Sequence, residues 1–329
     1  MPLKMQEPPI AEISVLANLQ PGCIFAVMMN RRNFIALSLT ATAAHAGSYQ
    51  APEDEEISFG VITDIQYADA DPVGERHFRE SIPKIKAAVE ILAPRKLPFT
   101  LHLGDFIDDQ FSSIDAILPL LEPIGHRFHH LLGNHDFSVA PEEKPQVRGK
   151  LGMPADYYSF VHGGLRFLMM DTNDISTYKH LKGSPQDLES VAMLEKLTAK
   201  GLNSAKPWNG GVSKAQIAWL EQECAAATVA SQRVILCGHH PILPAEGLQI
   251  WNCQKVLDAI DRHASIVAYF SGHNHAGSQI IRNGIPYITF KSMLHEPGIT
   301  AYSIIHVSKN SLRIEGFGRE LSRVCALNA

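Results

Sequence analysis

Five short polar motifs punctuate this chain, and each begins where a short apolar run ends. Asp64-Ile65-Gln66 follows Ile57–Thr63, and Gly104-Asp105-Phe106-Ile107-Asp108 follows Phe99–Leu103. Gly133-Asn134-His135-Asp136 follows Arg127–Leu132, Gly238-His239-His240-Pro241 follows Arg233–Cys237, and Gly272-His273-Asn274-His275 follows Ile266–Phe270. Runs of that length, bounded by polar turns, read as buried strands. In α/β sheets, ligands gather outside the carboxyl ends of strands, so five polar tips of this kind demand a fold that brings five strand ends to one place. The glycines ahead of Asp105, Asn134, His239 and His273 predict tight strand-to-loop turns.

Helical stretches lie between the apolar runs. Arg76–Leu92 reads as an amphipathic helix, Ile114–Leu121 as a short one, and Ala215–Thr228 and Gln254–His263 as two more. Tyr157–Phe160 and Leu165–Met170 add strand signals. Residues 174–212 are polar, carry Gly and Pro and lack strand signals, which predicts a partly helical, cap-like insertion. From Ser278 to Gly318 the pattern alternates with Gly-rich turns, as an antiparallel group would. Strand–helix alternation followed by a strand-rich end predicts one layered α/β domain with mixed sheets over residues 47–329, preceded by an N-terminal extension over residues 1–46.

That extension reads as an address. Arg31-Arg32-Asn33-Phe34-Ile35 opens a short mildly apolar segment that ends at Ala44-His45-Ala46. A charged region, an apolar region and an A-x-A site in that order predict a signal peptide, here of the twin-arginine type, and hence export to the periplasm. The competing reading is a basic tail on a cytoplasmic enzyme. The formal net charge is −5 with basic residues scattered, which argues against a nucleic-acid surface. No run of about 18 apolar residues is present, so no conventional membrane span is expected. The five cysteines are far apart and form no CxxC, so neither a zinc knuckle nor a redox pair is indicated.

The sixteen histidines point elsewhere, because many fall beside Asp or Asn in the five motifs. Carboxylates, amide oxygens and imidazoles without thiolates suit hard to borderline divalent ions such as Mn²⁺, Fe²⁺ or Mg²⁺. A pair of such ions, about 3.5–4 Å apart, needs one shared anionic ligand and a bridging water that becomes the nucleophile. Asp105 is the natural bridge, since a carboxylate can use both oxygens.

In this order and spacing the motifs resemble the calcineurin-like metallophosphoesterase superfamily over roughly residues 57–318. The resemblance implies a four-layer α/β/β/α sandwich of two mixed sheets flanked by helices. It implies one divalent ion held by Asp64, Gln66, Asp105 and His275, and a second held by Asp105, Asn134, His239 and His273. It gives His135 the role of acid beside the leaving group, with Asp136 orienting it. Gln66 departs from the superfamily, which has Asp-x-His at the first motif; the departure reads either as partial decay of the site or as a neutral oxygen ligand favouring Mn²⁺. A smaller group carries this Gln, the manganese-dependent ADP-ribose/CDP-alcohol diphosphatases. Phe59-Gly60-Val61-Ile62-Thr63-Asp64-Ile65-Gln66-Tyr67-Ala68-Asp69 resembles their opening, as do Tyr157-Tyr158-Ser159-Phe160, Asp171-Thr172, Gly210-Gly211-Val212-Ser213 and Trp251-Asn252. The expected activity is hydrolysis of the diphosphate bond in small nucleotide-like substrates. A generic phosphodiesterase or phosphomonoesterase and a non-catalytic scaffold of the same fold are the alternatives.

Other residues are weighed against plainer roles. Tyr67, His77, Phe78, Trp251 and Asn252 are candidates to line a substrate pocket, with packing as the competing role. Arg76 and Arg79 are candidates to grip a second phosphate, against simple solvent exposure. Asp108 reads as a helix cap as readily as a partner of the site. His240 is expected in a loop rather than as a ligand, and His102 in packing; His129 and His130 receive no role.

Overall fold

The computed structural model describes residues 55–327. The twin-arginine segment lies outside the described residues. Twelve strands and six α-helices follow one another as β1 (Glu55–Ile62), α1 (Ser81–Leu92), β2 (Phe99–Leu103), α2 (Ser113–Leu121), β3 (Arg127–Leu131), α3 (Lys144–Lys150), β4 (Tyr158–His162), β5 (Leu165–Met169), α4 (Pro185–Ala199), α5 (Lys214–Val229), β6 (Arg233–Cys237), α6 (Cys253–Ile260), β7 (Ile266–Ser271), β8 (Ser278–Arg282), β9 (Ile285–Thr289), β10 (Ala301–Ser308), β11 (Ser311–Gly318) and β12 (Arg323–Ala326). They form two six-stranded sheets ordered β12-β11-β10-β1-β2-β3 and β4-β5-β6-β7-β9-β8. In the first, β1, β2 and β3 run parallel and β10, β11 and β12 alternate in direction. In the second, β5, β6, β7 and β9 run parallel, with β4 and β8 antiparallel at the two edges.

The layering follows from strand period two with apolar residues on both faces. Ile57, Phe59 and Val61 of β1 and Phe99, Leu101 and Leu103 of β2 pack between the sheets against Leu165, Phe167 and Met169 of β5 and Ile235 and Cys237 of β6. The rings of Phe59 and Phe99 stack at 5.1 Å, and Phe167 meets Phe59 edge-on at 5.2 Å. On the outer face of the first sheet, Ile62 packs with Ile85, Ala88 and Leu92 of α1 and with Ile114, Ile117 and Leu121 of α2. On the outer face of the second, Leu168, Val234 and Leu236 pack with Leu220 and Cys224 of α5 and Val256 and Ile260 of α6. The result is an α/β/β/α sandwich. Among the described residues no helix is long and apolar enough to cross a membrane.

Two features differ from the sequence expectation. The helix expected from Arg76 begins at Ser81, because Arg76 and His77 pair instead with the 294–295 loop and Phe78–Glu80 forms a 3-10 turn. The strands after Ser278 do not form one antiparallel group: β9 pairs parallel with β7, and β10–β12 join the other sheet. Alternation reports which face a residue takes and is silent on the direction of its neighbour. Residues 174–212 contain one helix, α4, capped by Ser184 accepting from the Asp187 N–H, and its buried side chains are Asp187 and Ser190. The two ends of the insertion are tied to each other through the paired backbones of Ile175 and Gly211.

Candidate metal centre

All five polar motifs leave the carboxyl ends of parallel strands: β1, β2 and β3 in one sheet, β6 and β7 in the other. The loops are stitched together across the sandwich. His239 Nδ1 donates to the Leu103 carbonyl at 2.8 Å, and the His273 N–H donates to Asp64 Oδ2 at 3.2 Å. Asp64, Gln66, Asp105, Asn134, His239, His273 and His275 are all buried at this junction.

The backbone is strained where these side chains emerge. Among the described residues, eight non-glycine positions have positive φ, and four of them are Asp64 at 50°, Gln66 at 44°, Asp105 at 56° and His273 at 65°. Left-handed backbone costs a residue with Cβ about 1–2 kcal/mol, and such outliers concentrate where function sets the geometry. The glycines serve differently from the turn expectation. Gly104 does take φ +94°, but at Gly133 and Gly272 the need is for space. A Cβ on Gly133 would lie 2.1 Å from Asp105 Oδ1, and one on Gly272 would lie 2.5 Å from Asp64 Oδ2.

The donor set is one of acceptors facing acceptors. With His239 Nδ1 donating to Leu103, its Nε2 is the atom turned to Asn134 Oδ1 at 3.1 Å and Asp105 Oδ2 at 3.3 Å, and it offers a lone pair once its proton is displaced. Donor atoms of Asp64, Asp105 and His239 all lie within 4.8 Å of one another, and His275 Nε2 is 3.4 Å from Asp64 Oδ1. Gln66 Nε2 donates to Asp105 Oδ2 at 2.7 Å, while its Oε1 is buried with no partner among the described residues. Such a group costs about 1–3 kcal/mol when unsatisfied, so a cation is the natural partner. Burial opposes a charge on His239, but Asp105 outweighs it and raises the imidazole to about 9. Burial pushes the Asp105 carboxyl up, but His239 and His135 hold it well below the usual range. The residues present suit two divalent cations.

His135 stands beside this cluster, with its backbone N–H donating to Asp105 Oδ1 at 2.8 Å. Its orienting carboxylate is Asp108, whose Oδ1 accepts from His135 Nδ1. Asp136 does not orient His135. Its carboxylate accepts from the backbone N–H groups of Asp105, Phe106, Ile107 and Gly133 at 2.8–3.2 Å, so it shapes the two loops that carry Asp105 and Asn134. Burial opposes protonation of His135, but Asp108 and Asp105 outweigh it and raise the imidazole to about 9.

Most of the other candidates are engaged elsewhere. Tyr67 and Phe78 are buried in apolar clusters. Trp251 is 3% exposed with its indole N–H on the Lys206 carbonyl, which leaves no open face for a base. Asn252 exchanges both its amide bonds with the Val212 backbone and so anchors the end of the insertion. His77 is half-buried and stays near the 294 loop through its backbone. Arg79 is exposed and paired with Asp69 and Asp71. His240 is buried with Nδ1 on Thr172 Oγ1 and Nε2 on the Trp208 carbonyl, so both nitrogens have partners other than a metal. Sequence reasoning passed over Asn209, whose Oδ1 meets His273 Nε2 at 3.0 Å, and His295, whose Nε2 meets His275 Nδ1 at 2.6 Å. Neither sits in a strand-end motif.

Residues 57–277, well over half of the chain, match the family model described as calcineurin-like phosphoesterase. The chain belongs to the calcineurin-like phosphoesterase family. Like other calcineurin-like phosphoesterases it is a metal-dependent hydrolase. It is 28% identical over 317 residues to the manganese-dependent ADP-ribose/CDP-alcohol diphosphatase of Xenopus tropicalis, covering 81% of this chain and 93% of the relative. The Arabidopsis thaliana protein of the same name is 29% identical, covering 80% and 94%. Among solved structures the fold is shared with a dimetal phosphatase from Danio rerio at a TM-score of 0.76 and 23% identity, covering 84% of this chain and 100% of that one. It is shared more distantly, at 0.51 and 14%, with an anchor protein of the Plasmodium inner membrane complex, covering 83% and 89%.

Proposed function

We propose that the protein hydrolyses the diphosphate bond of small nucleoside-diphosphate-linked compounds of the ADP-ribose or CDP-alcohol type, with two divalent ions, Mn²⁺ for preference. The observation that carries this reading is Gln66: buried, strained, hydrogen-bonded to Asp105 and presenting a bare carbonyl oxygen where an imidazole is usual. A neutral oxygen donor favours oxygen-seeking ions. Near-complete coverage of relatives named as manganese-dependent diphosphatases supports the substrate class.

In this reading Asp64, Gln66, Asp105 and His275 hold one ion, and Asp105, Asn134, His239 and His273 the other. Bound divalent cations supply positive charge for the phosphoryl oxygens and acidify the attacking water. The chain's own contribution is orientation and a proton. Asp108 fixes the His135 ring through Nδ1, which leaves Nε2 to protonate the leaving oxygen. The acceptors of Asp136 hold the Asp105 and Asn134 loops in register. Export through the twin-arginine segment is proposed on the sequence alone; cell fractionation with Arg31→Lys and Arg32→Lys together tests it, and unchanged periplasmic delivery would refute it.

The deciding experiment is a substrate panel of ADP-ribose, CDP-choline, CDP-glycerol, a cyclic nucleotide and p-nitrophenyl phosphate, with Mn²⁺ or Mg²⁺, for wild type and Asp105→Asn. The expected result is preference for the diphosphates with Mn²⁺ and near-complete loss in the variant, because a neutral amide cannot hold two cations against their repulsion. No hydrolysis together with fewer than one ion per chain would mark a scaffold instead.

A further inference from the structure

His295 lies outside every strand-end motif, yet it is fixed more firmly than a loop residue needs to be. Lys84, buried in α1, directs its ammonium at three successive carbonyls, Met293 at 2.9 Å, Leu294 at 3.1 Å and His295 at 2.7 Å. All three ammonium protons thus converge on the loop that carries His295. The same loop is tied from the other side, where the Met293 and Leu294 N–H groups donate to the carbonyls of Thr63 and Asp64.

Held in this way, the His295 ring makes two contacts that define a direction. Its Nδ1 is 3.2 Å from Glu75 Oε2 and its Nε2 is 2.6 Å from His275 Nδ1, with the two rings nearly perpendicular. A carboxylate only accepts, so His295 keeps its proton on Nδ1, facing Glu75. A neutral imidazole has one N–H, so His295 Nε2 is then an acceptor, and the proton in the short contact belongs to His275 Nδ1. His275 is left with its lone pair on Nε2, the atom that faces Asp64 Oδ1 at 3.4 Å. The opposite arrangement would set an N–H of His275 against the cluster and exclude it from any cation.

We propose that His295 is a positioning residue that, backed by Glu75, fixes His275 in the tautomer able to ligate a cation beside Asp64. The proposal rests on the reading of His275 as a ligand. Groups that orient a ligating imidazole typically contribute 10–100-fold in metal affinity.

The test is Mn²⁺ titration by calorimetry of wild type, His275→Ala, His295→Phe and His295→Gln, each first shown to fold by thermal unfolding in chelator. Phe fills the space without an acceptor; Gln restores an acceptor oxygen at similar reach. The expected result is two sites in wild type, one in His275→Ala, a site weakened about 10–100-fold in His295→Phe, and affinity recovered to within a few-fold in His295→Gln. Wild-type affinity in His295→Phe, with His275→Ala losing one ion, would overturn the positioning role and leave the ligand set standing. Two full sites in His275→Ala would overturn the ligand assignment and the proposal with it. Equal weakening in Phe and Gln variants would assign His295 to packing.

Discussion

Asp108 Oδ1 accepts from His135 Nδ1 across 27 residues of sequence, in a contact shielded from most solvent. The pair belongs to two different strand ends, so the ring angle of His135 is set by the relation of β2 to β3. Asp108→Asn should therefore lower turnover on a diphosphate substrate by about 10–100-fold, part of the 10²–10⁴ that a positioned acid supplies. The loss should shrink for p-nitrophenyl phosphate, whose leaving group needs little protonation. Steady-state kinetics on both substrates check it; equal losses would assign Asp108 to binding.

Asp136 has a different task. Its four backbone donors are buried, and removing their acceptor leaves them unsatisfied. Asp136→Ala should cost on the order of 3 kcal/mol or more. In a domain of this size that corresponds to a Tm lower by about 10 °C, and by a similar amount with and without Mn²⁺. A variant as stable as wild type in chelator would contradict the scaffolding role.

The contrast between these two aspartates shows where the sequence runs out. Gly133-Asn134-His135-Asp136 places an acid beside the histidine along the chain, but a 3-10 turn at His135–Phe137 sends the Asp136 carboxylate under the loops and turns His135 toward Asp108. Local order could not reveal that. The strands and the convergence of their tips were legible, because period-two burial and polar strand ends are properties of single segments. Pairing direction in β8–β12, the anchoring by Trp251 and Asn252, and the contacts of Asn209 and His295 depend on partners tens of residues away. Burial of Trp251 is the plainer alternative, as it is for most tryptophans.

Gly133 tests whether space rather than turn geometry is what its position requires. A Cβ there would lie 2.1 Å from Asp105 Oδ1 and 2.6 Å from the Asp105 backbone nitrogen. Gly133→Ala should displace the shared carboxylate and abolish binding of two ions, while far-ultraviolet circular dichroism stays close to wild type. Two ions bound with normal affinity would show that the loop yields without consequence.

Two histidines of β3 that are not among the candidate ligands predict the acid response. Burial, with help from His129, lowers His130 to about 3, and burial with Arg127 lowers His129 to about 4. Folded values below the ordinary 6.5 mean that the unfolded chain takes up protons first. The stability these groups allow is complete above about pH 6.5 and is lost as the pH falls toward 4 and 3. For His130 the slope is about 1.4 kcal/mol per pH unit, hence about 2 kcal/mol between pH 6.5 and 5. Urea unfolding of the chelated protein at pH 7.5 and 5.0 should show a smaller loss for His130→Leu than for wild type, and identical losses would mean that His130 does not titrate on unfolding.

Gln66 yields the prediction that bears most directly on metal choice. Its side chain is wholly buried at φ +44°, tied through Nε2 to Asp105 Oδ2 at 2.7 Å, with Oε1 unpartnered among the described residues. An amide oxygen is a weaker donor toward borderline ions than an imidazole nitrogen, so the ion beside it is held loosely and Zn²⁺ loses part of its usual advantage. Mn²⁺ should activate the wild type best and Zn²⁺ poorly. Gln66→His replaces the oxygen by a nitrogen lone pair and gives up the amide bond to Asp105. Zn²⁺ should then activate at lower concentration, and the dependence on Mn²⁺ should relax, with phosphoesterase activity retained. The substrate profile should shift as well, since residue 66 adjoins the shared carboxylate. Activity against metal concentration for Mn²⁺, Mg²⁺ and Zn²⁺ in both proteins decides it. Superimposable profiles would mean that residue 66 touches no metal, and the case for a manganese-preferring diphosphatase would lose its physical basis.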